Sequence, residues 1–495
     1  MFTPLSASQW NFETAAHLLN RAGFGGTPAE IEAARRKGLE ATVRELVDVS
    51  DDLTSVRPPL WARPFNIRKI RTEMRSNKIS PRERKARKRE FHDMEGENIL
   101  DLRRWWLEQM LTSPAPLVEK MTLFWHGHFA TSVQKVRDGY WMWMQNDTLR
   151  RNALGNFATL TKKISRDPAM LIYLDLRKSR KEHPNENWAR ELMELFTIGI
   201  GNYTEQDIRE AARAFTGYQL NLNTQQFRFE PSEHDGSSKT FMGRTGPLEG
   251  DDIIDMLLEQ SACAQFIGRK IWRYFVEDDP SPDTVNAVAS CLRAHNYEIR
   301  PLLRQTFTSS EFYSEHIIRS QIKSPVQFLI QTAKLFEIPL PPAVIAQNAM
   351  REMGQILFAP PSVKGWDGGR AWINTSTLLF RYNFANYLIN GDAMLPTSVP
   401  QKERVHDFGF RQDLAVGAGT RRDAIDVSKL IPAELRRKPR ELVAHLGNRL
   451  FQTKPAAKEA EAFVQYLEAR KPDTGDQTMR GLLHLMMSTP QFQLT

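Results

Sequence analysis

The sequence predicts a mainly α fold: a multi-helix bundle with a small β-hairpin insertion and two similar C-terminal helical units. Three observations carry this. Apolar residues recur at three- and four-residue spacing along most of the chain. Only 219–247 differs, where QLNLNTQQFRFE alternates polar and apolar residues before Gly-rich turns. A Φ-Gly-x-x-Φ frame at FIGRKIW, 266–272, returns as HLGNRLF, 445–451, with LLRQTFTSSEFY and LLHLMMSTPQFQ following at equal distance.

Taken in order, residues 8–22 and 28–48 read as two helices around GFGGTP. Thr27 caps the second, with Pro28 at its first position and Glu30 at its third. Residues 51–67 are proline-rich and loop-like, and 68–90 are strongly basic. Helical patterns follow at 95–113, 117–130, 138–164 and 168–176. Asn185 is a plausible cap for the next helix, with Glu186 in its first turn, where the dipole favours negative charge. Trp188, Leu192, Leu195 and Gly199 form its buried stripe, flanked by Glu191 and Glu194. Glu186–Arg190 and Arg190–Glu194 are both i, i+4 pairs. After GIGNY, Thr204 and Asp207 make a capping box for a helix with Ile208, Ala211, Ala212 and Phe215 inward. Helices resume from 250, and Asn374–Thr377 could cap one of them. The expected divisions are 1–95 (N-terminal helices and basic linker), 96–250 (helical core with the motif block and hairpin), 251–395 (a helical unit with a Gly/Trp loop), 396–440 (a linker), and 441–495, a unit resembling 262–315.

HLLNRAGFGGTP at 17–28, LFWHGHFATS at 123–132, the 183–218 block, HDGSSKTFMGRTG at 234–246 and PPSVKGWDGGRAWINTSTLLFRYNFAN at 360–386 occur in this order, with STPQFQLT at 488–495. With these motifs the chain resembles, nearly end to end, a bacterial family known as domain of unknown function 1800. The resemblance implies an exported companion protein encoded beside such chains, and it implies no activity.

Composition narrows the field. A net charge of +8 rests largely on the 68–90 run. No stacking aromatics interleave with it, so nucleic acid is not expected and a solvated surface segment is the simpler reading. The two cysteines, Cys263 and Cys291, are no disulfide framework and form no Cys-x-x-Cys motif. No basic-then-apolar leader opens the chain and no run of about 18 apolar residues occurs, so a cytoplasmic protein without a transmembrane segment is expected. No Walker loop or Gly-x-Ser-x-Gly elbow is present.

The chemistry-bearing residues suggest a metal. Glu191 and Glu194, at i, i+3, can face one ion. His128 shares a helical face with Phe124 and Met121 if its helix continues, and His234 comes from the Gly-rich hairpin. These four are the candidate ligands, with His126, Glu186, Arg190 and Asp235 behind them. Imidazole and carboxylate suit iron, manganese or zinc. The other reading of the same residues is an ion-paired core network. Trp366, Arg370 and Trp372, beside Gly365, Gly368 and Gly369, form a second candidate surface for an anionic ligand; a structural turn and cap is the alternative. Two functions are therefore expected in competition. One is a metal-dependent non-haem enzyme, oxidative chemistry favoured. The other is a non-catalytic helical partner or maturation factor for the exported companion.

Overall fold

Capping chemistry sets the helix boundaries in the N-terminal region of the computed structural model, which describes residues 2–50, 52, 56–64, 72, 79–391, 423–470 and 474–495. Asn11 accepts from the amides of Glu13 and Thr14 and opens Phe12–Ala22. Thr27 and Glu30 form the expected box at Pro28–Lys37. The span read as one helix, 28–48, is two. Gly38 takes φ 91, a left-handed conformation that glycine tolerates, and Leu39–Val47 leaves in a new direction. The expected 95–113 helix is longer and begins inside the basic run. Ser80, Pro81 and Glu83 supply a cap, a first residue and a box for Pro81–Thr112. The 138–164 pattern is likewise split, into Gly139–Arg151 and Phe157–Ile164.

The expected β-hairpin insertion is present as two small antiparallel ribbons. Tyr218–Asn221 pairs with Gln226–Phe229, and Lys239–Phe241 pairs with Arg244–Gly246. A 3-10 turn at Pro231–Glu233 interrupts them, because proline has no amide to continue a ladder. The second ribbon is tied to helix Glu205–Ala214: Glu210 accepts from the Thr240 amide and Asp207 from that of Met242.

Each C-terminal unit has three helices: Ser261–Phe275, Pro282–Ala294 and Ile299–Thr308 in one, Pro439–Leu450, Ala457–Glu468 and Asp476–Met487 in the other. In both, the glycine of the shared frame marks a close approach. A Cβ on Gly268 would meet Val288 at 2.9 Å, and one on Gly447 would meet Pro455 at 2.6 Å. Of the expected 396–440 linker, 396–422 lie outside the described residues, and Val427 and Leu430 beyond them are buried. Both cysteines are buried and free. Among the described residues no helix is long and apolar enough to cross a membrane.

Two large buried clusters form the interior. Leu18, Trp188, Phe196, Ile267 and Phe307 belong to one; Trp106, Phe328, Phe358, Phe384 and Leu483 belong to the other. Helix Pro116–His128 serves both, giving Met121 and Trp125 to the first and Leu123 to the second. It lies at their seam, which is where a cleft can open.

One buried carboxyl gives a pH test. Glu95 is fully buried, and its Oε2 accepts from the Gly139 amide at 2.7 Å. Burial and the neighbouring Asp138 carboxylate push it from 4.5 up to about 7. The folded form therefore holds a proton that the unfolded chain has released between those values. This group's contribution is fully present below about pH 4.5 and is lost as pH rises through 7, by about 3 kcal/mol. Urea unfolding of Glu95→Gln beside the native chain, at about pH 5 and about pH 8, should show that loss in the native chain only. Equal pH slopes in the two proteins would refute the assignment.

Candidate functional site

Helix Pro116–His128 runs unbroken through Gly127, so His126 and His128 point to different surroundings. His126 turns to the second core. Its Nε2 accepts from the Phe358 amide at 3.0 Å, its ring meets Trp106, Phe358 and Trp366, and burial lowers it to about 3. His128 turns the other way, against Phe124, Phe129 and Phe196.

Its partners come from the Glu-rich motif, by way of the backbone. Glu186–Glu191 continues as a π-helix over Leu192–Thr197, whose last carbonyls lack helical partners. The Phe196 carbonyl accepts from His128 Nε2 at 3.1 Å, and the Leu195 carbonyl accepts from Lys270 Nζ at 3.0 Å. With the proton on Nε2, His128 Nδ1 accepts from Lys270 Nζ at 3.2 Å. Burial, then Lys270, holds the imidazole neutral, well below its ordinary value. Burial, then Arg273 and Lys364, lowers the Lys270 amine to about 8.

Lys120, two turns before His128, is a second buried amine. Its Nζ donates to Gln327 Oε1 at 2.6 Å and lies over the rings of Phe24 and Tyr274. Burial and Arg21 lower it to about 7. Arg21, from the first motif, is itself buried and donates to the carbonyls of Phe275, Val276 and Ile317. It thereby fixes the end of the helix that carries Lys270 and Tyr274.

These groups share one cavity of about 460 Å³. Lys120, Phe124, Gly127 and His128 form one wall; Lys270, Arg273, Tyr274 and Asp278 form another. The Gly/Trp loop closes it with Lys364, Trp366, Asp367 and Trp372. That loop can approach because Gly365 adopts φ 86, where a Cβ would lie 2.2 Å from the Gly127 carbonyl oxygen. Such a cavity, largely apolar with a few convergent polar groups of shifted pKa, is the kind of place where ligands bind and react.

Of the sequence-derived metal ligands, Glu191 and Glu194 are neighbours, and the four form no single cluster among the described residues. His128 faces the cavity with both ring nitrogens engaged. Glu194 accepts from the Tyr203 hydroxyl at 3.0 Å. Glu191 is half-buried and makes no hydrogen bond or ion pair among the described residues; burial, then Glu194, raises it. His234 bonds the Thr216 carbonyl at 2.9 Å and packs on Phe229. Among the described residues no group of three or more His, Cys, Asp or Glu is placed to hold a metal ion. Of the supporting residues, Arg190 pairs with Glu186 and, on the next helix, Glu205, while Asp235 pairs with Arg213. The second candidate surface fares differently: Trp366 and Trp372 line the cavity, whereas Arg370 is exposed and lies off its lining.

Sequence reasoning missed Lys120, Lys270, Arg273 and Lys364. The available signal was a lysine inside a mainly apolar run, LVEKMTLFW, and a second inside FIGRKIW.

A family model described as a protein of unknown function (DUF1800) matches residues 17–494. No curated protein and no solved structure matches the chain.

Proposed function

We propose, on the premise that the chain belongs to that family, that it is an enzyme acting on a small organic molecule held in the cavity at the seam of the two cores. The observation that carries this reading is the Lys270–His128 couple. An amine whose affinity for protons is lowered sits within hydrogen-bond reach of a neutral imidazole, and the Phe196 carbonyl fixes that imidazole's tautomer. An amine of lowered proton affinity, positioned by a fixed neutral imidazole and a backbone carbonyl, is the arrangement of a lysine nucleophile or proton carrier. Four motif blocks, around residues 17–28, 123–132, 183–218 and 360–386, supply either a wall of the cavity or the groups that support it.

A plug tests it. Gly127 lines the cavity, and a Cβ there would find only Trp366, at 3.9 Å. Gly127→Leu should fold and fill the space. Ligands found by thermal shift against a metabolite collection should lose their effect in Gly127→Leu, and turnover should vanish in Lys270→Met. If the hits bind Gly127→Leu as well as the native chain, the site is elsewhere. Stoichiometric co-purification of an exported companion, with no cavity ligand found, would favour the non-catalytic partner role instead.

A second reading has one specific observation behind it. Glu191 and Glu194 repel one another, and Glu191 has no partner among the described residues, as two carboxylate ligands of iron, manganese or zinc would in the metal-free state. Because Arg190 is engaged by Glu186 and Glu205, Glu191→Gln orphans no buried cation. Melting in chelator should show stability unchanged or raised by at most about 1 kcal/mol. Metal analysis then decides: equal, substoichiometric metal in native chain and variant ends the metal reading.

A further inference from the structure

Lys120 stands at the end of a polarised chain of buried amides. Gln327 Nε2 donates to Gln331 Oε1, Gln331 Nε2 to Asn20 Oδ1, and Asn20 Nδ2 to Gln452 Oε1. Each amide is thereby committed as a donor onward, so Gln327 Oε1 is left to accept, and Lys120 must be the donor. The remaining Lys120 hydrogens meet only the faces of Phe24 and Tyr274 and the cavity, with no other acceptor among the described residues. No carboxylate lies within ion-pair distance of Lys120, Lys270 or Arg273 among the described residues, although all three line one space. Lys364, the fourth cation, is matched by Asp367 at 2.6 Å. Asp278 is the other acidic side chain on the lining, against three cations without an ion pair among the described residues. A buried cation without a counter-charge, as at Lys120, is costly, and an anionic ligand would supply one. Trp366, Trp372, Phe124 and Tyr274 provide flat apolar surface beside the charges.

We infer that the cavity takes an amphipathic oxyanion, a carboxylate or phosphate on an aromatic or apolar body, with the oxyanion against Lys120 and its fellow cations Lys270 and Arg273 and the body along Trp366. This rests on the reading of the cavity as a small-molecule site and names the class of molecule.

The experiment uses four probes of one shape on the full chain: benzoate, phenyl phosphate, benzyl alcohol and benzylamine, read by tryptophan fluorescence and thermal shift at millimolar concentration. Benzoate or phenyl phosphate should bind, and the other two should not; the preferred anion distinguishes carboxylate from phosphate. Lys120→Met should weaken the anion by about tenfold to a hundredfold, the worth of a charged hydrogen bond. Arg273→Gln, at an exposed position where folding is not in question, should weaken it less. Binding of benzyl alcohol or benzylamine in preference, abolished by Gly127→Leu, would keep the small-molecule site and overturn the oxyanion. Anion binding unchanged in both lysine and arginine variants also overturns it. If none of the four binds, the oxyanion inference falls, while the metabolite screen still judges the site itself.

Discussion

Glu119→Gln is expected to lower the unfolding free energy by about 3–5 kcal/mol, the cost of leaving a buried charge unpaired. Glu119 and Arg150 are 1% and 0% exposed, so water cannot take over for a lost partner. Arg150 donates through Nε to Oε1 at 2.7 Å and through Nη2 to Oε2 at 3.0 Å, and Trp106 Nε1 donates to Oε2 at 2.8 Å. The guanidinium also lies over the Trp105 ring. One carboxylate thus pins the helices Pro81–Thr112, Pro116–His128 and Gly139–Arg151 beside the cavity. Arg150→Met should cost about as much, by orphaning the carboxylate. The double variant Glu119→Gln with Arg150→Met should lose less than the sum of the singles, because removing both charges leaves none unpaired. Denaturant unfolding of the four proteins tests this cycle. Singles that each cost under about 1 kcal/mol would show that the pair is not the buried tie described here.

Gly365→Ala is expected to cost about 2–5 kcal/mol and to abolish ligand binding. A residue with a Cβ at φ 86 carries backbone strain of about 1–2 kcal/mol. The added carbon would also fall 2.2 Å from the Gly127 oxygen, so backbone must move, with an overpacking cost of about 1–3 kcal/mol. Moving it withdraws Trp366 from the cavity wall. Gly243→Ala is the control: φ is 79 there, but nothing lies within 4 Å of the new carbon. It should show the backbone cost alone. Equal losses at both positions, with ligand binding intact in Gly365→Ala, would remove the Gly127–Gly365 contact from the account of the site.

What could be read from the chain was local. Thr27 with Glu30, Thr204 with Asp207 and Asn374 with Thr377 all form the caps their spacing announced, since each bond closes within three residues. The helix breaks at Gly38 and near Asn152 were missed because the apolar periodicity carries on across them while the backbone does not. The motif block around Glu191 and Glu194 was recognised by its side chains, whereas its hydrogen bonds to the cavity's lysine and histidine come from the backbone. Its carboxylates drew attention, yet the carbonyls of Leu195 and Phe196 receive the lysine and the histidine. Every residue has a carbonyl, so no side-chain pattern marks the two that matter.

The sequence by itself determined the mainly α class, most helix starts, the family, and the Gly/Trp loop as a place of interest. These follow from propensity, periodicity and capping, which act over a few residues. Tertiary structure alone decided which charges meet. Arg190 turned to Glu205 on the next helix, away from Glu194, and Glu119 found Arg150. Lys120, Lys270 and Arg273 were gathered on one cavity, with no ion pair to any of them among the described residues. The interaction of two charges depends on their separation in space and on the water excluded from between them, and sequence spacing fixes neither once the partners sit on different helices.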